Sequence, residues 1–383
     1  MDADTRQLVQ AIHDSPLRIV YVTAGAGTQA LSDILGIAGA TRTLLEAIVP
    51  YNTSAFDEFL GKTPAQYVAA DTARRMAGRA YTRARWLDSG TEPVAGLSCT
   101  ATIVTDRPKQ GEHRAHIALW KPESITSLEI QLDKGARNRE EEENVVSRLI
   151  LNTLCQSCGI GSSLPLPLRA EDHLTQSFTD LTEFAEKLYQ ETIASFSIEA
   201  DGQVSTNTPP KAILCGAFNP LHDGHIDLAK AAETMLGYPV AFELSVVNVD
   251  KPILPPEVIL KRMAQFAGSW PIFASTAPTF LEKAQLFPGS TFIVGYDTAK
   301  RVIDPIYYHD SHEEMLGALA KIKERESSFL VAGRVDRDGI FRHLPDLPVP
   351  DAFSDMFRAI PHYQFRRDIS STELRRKGQR GSR

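Results

Sequence analysis

The sequence predicts an α/β protein of two domains, the first built on a mixed sheet and the second on a Rossmann-like, doubly wound parallel sheet. Three observations lead there. The chain has 383 residues, more than one hydrophobic core usually holds. Twice, an apolar run of strand length ends in a glycine turn and passes into apolar residues at helical spacing, over 19–31 and again over 211–232. Between them, 205–210 reads Ser-Thr-Asn-Thr-Pro-Pro, a polar, proline-rich linker. The expected division is 1–165 for the first domain, 166–210 for a connecting region and linker, and 211–383 for the second domain.

In the first domain, Ile19-Val20-Tyr21-Val22-Thr23-Ala24 reads as a strand, Gly25-Ala26-Gly27 as its turn, and Thr28 onward as a helix. Further segments follow at 35–41, at 46–52 and at 93–101, and then an alternating strand over 114–120. Residues 134–154 read as a helix. Its start, Arg139 to Glu143, is a charged run read as a solvated face with favourable dipole placement. Its apolar stripe is Val146, Leu149, Ile150 and Leu154. A Gly-, Ser- and Pro-rich break covers 159–168, and another helix is expected over 180–195.

In the second domain, Ala212 to Cys215 reads as a buried strand, and Gly216 and Pro220 break it into a turn. Asp223 is the expected N-cap of a helix continued by Ile226, Leu228, Ala229 and Ala232. That helix start carries His222 and His225. A helix N-terminus offers unpaired N–H groups and partial positive charge, and two imidazoles add donors where a triphosphate would lie. Residues 246–252 read as a strand entering a loop that bears Lys251, with Arg262 on the following helix. Residues 291–298 read as a strand ending at Gly295 with Asp297 beyond it, placed to cap the next helix. Residues 329–334 read as a late strand and turn. Near the C-terminus, Ser370, Ser371 and Thr372 offer consecutive hydroxyls, and Arg375 falls one turn later. Hydroxyls there can cap a helix or bind phosphate oxygens, and a guanidinium can neutralise them.

The segment Gly216-Ala217-Phe218-Asn219-Pro220-Leu221-His222-Asp223-Gly224-His225 resembles the G-x-F-x-P-x-H-x-G-H signature of the HxGH-motif nucleotidyltransferases. Ile369-Ser370-Ser371-Thr372-Glu373-Leu374-Arg375 resembles the ISSTxxR motif of the same superfamily. His222, Asn219-Pro220 and Arg375 make the chain most similar to the nicotinamide or nicotinate mononucleotide adenylyltransferases. The resemblance implies adenylyl transfer from ATP to the mononucleotide's phosphate. His222 and His225 would serve the ATP phosphates, with His225 nearest the α-phosphoryl. Ser370, Ser371, Thr372 and Arg375 would hold the leaving pyrophosphate. Gly216, Ala217, Phe218, Asn219 and Gly224 would approach the nucleotide, Gly295 and Asp297 would lie near its sugars or the nicotinamide, and Lys251 would meet the acceptor phosphate. Mg²⁺ would arrive with ATP, with no all-protein metal cage. The alternatives are a cytidylyl- or adenylyltransferase for another phosphate acceptor, and a nucleotide-binding regulator.

The order and spacing of the first-domain segments resemble the C-terminal domain of the competence-damage (CinA) family, which implies nicotinamide mononucleotide deamidation. The family's A-E-S-C-T-G-G loop is Ala24-Gly25-Ala26-Gly27-Thr28-Gln29-Ala30 here, so Ala26 stands in the serine's place and has no hydroxyl to act as nucleophile. Thr28, Tyr51, Ser98 and Cys99 are the polar groups that could line a pocket. The expected roles are a degenerate domain that binds a mononucleotide, feeds the second domain or holds a homo-oligomer together, or a deamidase rebuilt on Thr28 or Cys99.

The net charge is −7, from 41 basic and 48 acidic residues, which argues against a nucleic-acid footprint. Four cysteines are too few for a disulfide framework in a chain this long. Cys155-Gln156-Ser157-Cys158 lacks a second ligand pair for zinc and reads as structural thiols. No signal peptide or membrane-spanning run is evident, so a cytoplasmic setting is expected, with a nuclear one also open.

Overall fold

The computed structural model describes all residues except 89–92, 107–109, 207, 248–251, 337, 368–375 and 377–383. The described residues form two large sheets and one small two-stranded one. The first part runs α1 (Ala3–His13), β1 (Arg18–Ala24), α2 (Thr28–Leu35), α3 (Ala40–Thr43), β2 (Leu44–Ile48), α4 (Thr53–Leu60), α5 (Ala70–Leu87), β3 (Val94–Thr102), β4 (His113–Lys121), β5 (Ser124–Leu132), α6 (Arg139–Ser157) and β6 (His173–Asp180). Its strands form one sheet in the order β2-β1-β3-β4-β5-β6. β1 pairs in parallel with β2 and β3, and the rest are antiparallel, so the sheet is mixed as expected. Leu97 and Cys99 of β3 pack with α1, α2 and α6, whereas the opposite face meets α5.

The second part runs α7 (Leu181–Tyr189), β7 (Ser195–Ile198), β8 (Val204–Ser205), β9 (Ala212–Cys215), α8 (Asp223–Leu236), β10 (Ala241–Ser245), α9 (Pro256–Met263), β11 (Ile272–Ser275), α10 (Phe280–Leu286), β12 (Thr291–Gly295), α11 (Tyr296–Val302), α12 (His312–Glu324), β13 (Ser328–Ala332), β14 (Arg334–Val335), β15 (Phe341–Arg342) and β16 (Phe357–Ile360). The sheet order is β16-β13-β12-β9-β10-β11-β7-β8. Six strands from β9 to β16 are parallel, and the order reverses between β9 and β12. That is the doubly wound arrangement, with its switch point beside β9. Leu214 and Phe242 face α8 and α9 on one side, and Ile213, Phe273 and Phe292 face α10, α11 and α12 on the other.

Several elements differ from the sequence reading. The stretch 166–210 is shared between the sheets: β6 extends the first, and the β7–β8 hairpin adds an antiparallel edge to the second. The helix expected over 180–195 stops at Tyr189, because Glu191 turns to a φ of 57° and Ser195 starts a strand. Of the strand expected from Val246, residues 248–251 lie outside the described residues; the strand described just before it is β10, Ala241–Ser245. The acidic run at the start of α6 is not a wholly solvated face. Glu142 is fully buried, accepting from the Val104 N–H at 2.8 Å and lying 2.8 Å from His113 Nδ1. Among the described residues no helix is long and apolar enough to cross a membrane.

Candidate functional site

The loop 216–222 carries the chain from β9 into α8 at the switch point, where open α/β sheets place their ligands. Gly216 stays within the ladder, because its N–H donates to the Glu243 carbonyl at 2.9 Å. Its N–H is therefore already taken within the sheet. Phe218 adopts a φ of 43°, uncommon for a non-glycine residue. Its ring is buried, edge-on to Phe242, Phe266 and His225 with centroids 5.4, 5.1 and 5.1 Å away. Phe218 thus packs its buried ring against His225. Ala217 and Asn219 are exposed.

Gln265, which no motif singled out, clamps this loop. Its Nε2 donates to the carbonyls of Phe218 at 2.8 Å and Arg262 at 3.0 Å, and its Oε1 accepts the Leu221 N–H at 3.0 Å. Both ends of the amide are satisfied, so the loop is held on two sides. The signal is tertiary: Gln265 lies 44 residues from Leu221 and sits in an otherwise ordinary stretch.

The cap of α8 is His222, not Asp223. His222 has extended φ and ψ of −143° and 166°, and Asp223 begins the helix, where its carboxylate meets the positive end of the dipole. The imidazoles of His222 and His225 stack, with centroids 3.7 Å apart and planes 20° from parallel. The His222 N–H donates to His225 Nδ1 at 3.3 Å. That bond assigns the His225 ring proton to Nε2, leaving Nε2–H as a donor. Burial holds both rings below the usual histidine range, and His225 is pushed down to about 3, by burial first and by the neighbouring His222 second. Both shifts favour neutral imidazoles at neutral pH. His222 Nδ1 is buried with no partner among the described residues. A Cβ at Gly224 would lie 3.0 Å from that nitrogen, so glycine here lets the ring close over the helix start. The N–H groups of Asp223 and Gly224 have no protein acceptor among the described residues, as expected for open first-turn donors.

Arg367 reaches this helix start from the C-terminal segment, with its Nε 2.8 Å from Asp227. Ser370, Ser371, Thr372, Arg375 and Lys251 lie outside the described residues. Gly295, not Asp297, occupies the cap of α11. Asp297 is exposed in the first turn and pairs with Arg334 at 2.5 Å. A buried pair that sequence reasoning missed lies under the same strand ends: Lys283 Nζ is 2.5 Å from Glu243 and 2.5 Å from Ser245 Oγ.

The first domain's Gly loop is occupied from within. One Glu143 oxygen accepts the N–H groups of Gly27 and Gln29, each at 2.9 Å, and the Thr28 hydroxyl at 3.3 Å. A pocket of about 280 Å³ opens nearby, lined by Tyr51, Tyr67, Thr100 and Arg139. Of the four expected lining residues only Tyr51 is there. Thr28 faces Glu143, Ser98 donates to the Ala73 carbonyl at 2.6 Å beneath α5, and Cys99 points into the opposite core. Alternation along β3 sends Ser98 and Cys99 to opposite faces. Burial pushes the Cys99 thiol up, which favours the protonated thiol over the thiolate. Cys155 and Cys158 close α6 as free thiols, both pushed up by burial.

Residues 213–377 match the family model described as cytidylyltransferase-like. No curated protein matches the chain. Similar solved structures include the competence/damage inducible protein CihA of Agrobacterium tumefaciens, 19% identical, covering 42% of this chain and 98% of its own with a TM-score of 0.32. A competence-damaged protein (CinA) superfamily protein of Klebsiella pneumoniae is 11% identical, covering 40% and 98% with a TM-score of 0.32. One from Escherichia coli is 17% identical, covering 41% and 92% with a TM-score of 0.31. The C-terminal part of the chain is thus a nucleotidyltransferase-like domain whose doubly wound sheet presents two stacked histidines at its switch point.

Proposed function

We propose that the C-terminal domain transfers an adenylyl group from ATP to the phosphate of nicotinamide or nicotinate mononucleotide. An oxygen of the acceptor phosphate attacks the α-phosphorus of ATP. The bond from that phosphorus to the oxygen bridging to the β-phosphate breaks, and pyrophosphate leaves with the bonding pair. No covalent protein intermediate is needed, so catalysis is positioning plus stabilisation of charge on the equatorial oxygens.

The observation that carries this reading is the neutral, stacked His222–His225 pair at the start of α8. His225 Nε2–H and the open N–H groups of Asp223 and Gly224 form one donor surface for phosphate oxygens. In this reading Ser370, Ser371, Thr372 and Arg375 hold the pyrophosphate and Lys251 meets the acceptor phosphate. The Arg367–Asp227 pair supports that assignment, because it seats the residues leading into the hydroxyl run against α8. Among the described residues no group of three or more His, Cys, Asp or Glu side chains is arranged to hold a metal ion. Mg²⁺, carried on the triphosphate, would supply charge neutralisation there. The first domain is read as inactive or altered for amide hydrolysis, since Ala26 lacks a hydroxyl and Glu143 fills the adjoining loop.

Cytidylyl transfer is the second reading, favoured by the description of the matching family. One experiment decides between the readings: pyrophosphate release by the full chain, with ATP or CTP, across a panel of phosphate acceptors. Release with ATP and a nicotinamide-type mononucleotide is expected. Release only with CTP, or only with other acceptors, overturns the preferred substrates. In parallel, ammonia release from nicotinamide mononucleotide by the full chain should be absent.

A further inference from the structure

A cleft of about 630 Å³ lies between the two sheets' helices, beside the His222 loop but lined by neither histidine. Its size falls in the range of small-ligand sites. One wall is a stripe of α5 bearing Arg75, Arg79 and Trp86, with Arg85 at its edge, and the other is the face of α8 bearing Lys230. Trp270 and Ser269 also line it.

The charge in this cleft is unbalanced. Arg79 donates to the Phe59 carbonyl at 3.0 Å and Ser269 Oγ at 2.8 Å, and Arg75 reaches the Ser269 carbonyl at 3.4 Å. Neither guanidinium is in an ion pair among the described residues; the charge of Arg79 opposes that of Arg75, and the carboxylate that acts the other way on Arg75, Asp201, is itself paired with Arg74. Arg75 Nε is buried with no hydrogen-bond partner among the described residues. Of the two carboxylates at the rim, Asp227 is taken by Arg367 and Asp223 is exposed at the helix start. Desolvated, unpaired guanidiniums call for an anion, and a fork of N–H donors suits a phosphate. The indoles of Trp86 and Trp270 add flat apolar surface beside those cations.

We infer that this interdomain cleft is a binding site for a mononucleotide, its phosphate on the arginines of α5 and Lys230 and its base against the tryptophans. The site meets the proposed transfer site at Asp223 but is lined by neither histidine, so binding there does not rest on turnover. Its occupant would touch Pro220, Leu221 and Gln265, and so would bear on the loop that carries the histidines.

The test is calorimetric titration of the full chain carrying His222→Asn and His225→Asn with adenosine 5′-monophosphate and nicotinamide mononucleotide. Saturable binding of one mononucleotide per chain is expected. Adenosine without its phosphate, and inorganic phosphate without a ring, should each bind at least tenfold more weakly. Adding Arg85→Glu with Lys230→Glu, both on partly exposed positions, should weaken the mononucleotide at least tenfold. Arg85→Gln with Lys230→Gln makes the same comparison without charge reversal, should the first pair unfold the chain. Loss of all binding with the two histidines, or undiminished binding in both charge variants, overturns the inference. Neither outcome depends on turnover, so failure of the transfer reading would be seen separately.

Discussion

One carboxylate oxygen of Glu143 accepts the backbone N–H of Gly27 at 2.9 Å, across 116 residues of chain. The same oxygen takes the Gln29 N–H, and Ser147 Oγ lies 3.2 Å from it while accepting from Ala30 N–H at 3.1 Å. The first turn of α2 is the kind of donor cluster that captures anions. Here α6 supplies the anion from within the fold. Glu143→Ala should therefore cost about 1–3 kcal/mol, the usual cost of unpairing donors from a charged acceptor. Glu143→Gln, which keeps an acceptor, should cost less. Denaturant unfolding measures both. Added sulfate should restore part of the lost stability in the alanine variant and do nothing comparable for the native chain.

His225→Ala should lower turnover about 10²- to 10³-fold, the usual effect of removing one donor to a developing charge. ATP affinity should change far less, because the N–H groups of Asp223 and Gly224 remain. Steady-state rates beside equilibrium ATP titration make the comparison. Equal losses in both would mean that His225 binds the ground state and transition state alike.

How much of this was legible in the sequence depends on the distance between partners. The His222–His225 pair is local, so its spacing alone placed both rings at one helix start. The loop's strand, turn and helix were legible for the same reason. Gln265 and Glu143 were not, since each acts on backbone far along the chain and neither belongs to a periodic pattern. Glu143 was concealed further by its neighbours, because a run of carboxylates at a helix start ordinarily faces water. β6 was missed because only Leu174 and Phe178 are apolar in it, and its pairing with β5 is what shows it to be a strand. Ser98 and Cys99 were rightly assigned to a strand, but membership alone did not say that neither reaches the pocket.

The histidine pair also sets a pH dependence. The folded pKa of His225 lies at about 3, below its ordinary 6.5. The unfolded chain therefore takes up a proton as pH falls through 6.5 while the folded chain does not. Stability from this group is intact above 6.5 and declines between 6.5 and about 3, by at most about 1.4 kcal/mol per pH unit for one proton. His225→Asn should remove that share of the slope. Unfolding free energies of the native and variant chains at pH 7, 6 and 5 should converge as pH falls; parallel curves would refute the assignment.

Gln265→Leu keeps the side chain's bulk and removes the clamp. The Leu221 N–H and the Phe218 carbonyl lose their partner, at a cost of about 1–3 kcal/mol. The effect should concentrate on residues 216–222, visible as faster amide hydrogen exchange there, with turnover falling along with it. Gln265→Glu keeps the acceptor for Leu221 but loses both donated bonds, and should fall between the native chain and Gln265→Leu.

Gly78→Ala tests how the two sheets are joined. In an exposed helix interior this change would stabilise by about 1 kcal/mol, because alanine is the better helix former. Gly78 is buried in α5, and a Cβ there would fall 2.4 Å from the backbone nitrogen of Gly268 and 2.9 Å from the Ala267 carbonyl carbon. Both obstacles are backbone, so neither can swing aside as a flexible side chain would. The sign should reverse: Gly78→Ala should destabilise the chain and push α5 away from the turn at 267–269. Arg75 and Arg79, which reach Ser269 from the same helix, would lose those bonds together. Thermal unfolding of Gly78→Ala beside Gly61→Ala gives the control, since nothing lies within 4 Å of a Cβ at Gly61 and its φ of 74° alone makes alanine costly. A rise in melting temperature for Gly78→Ala would mean that helix propensity outweighs the backbone contact, and that the two sheets are not held at this point.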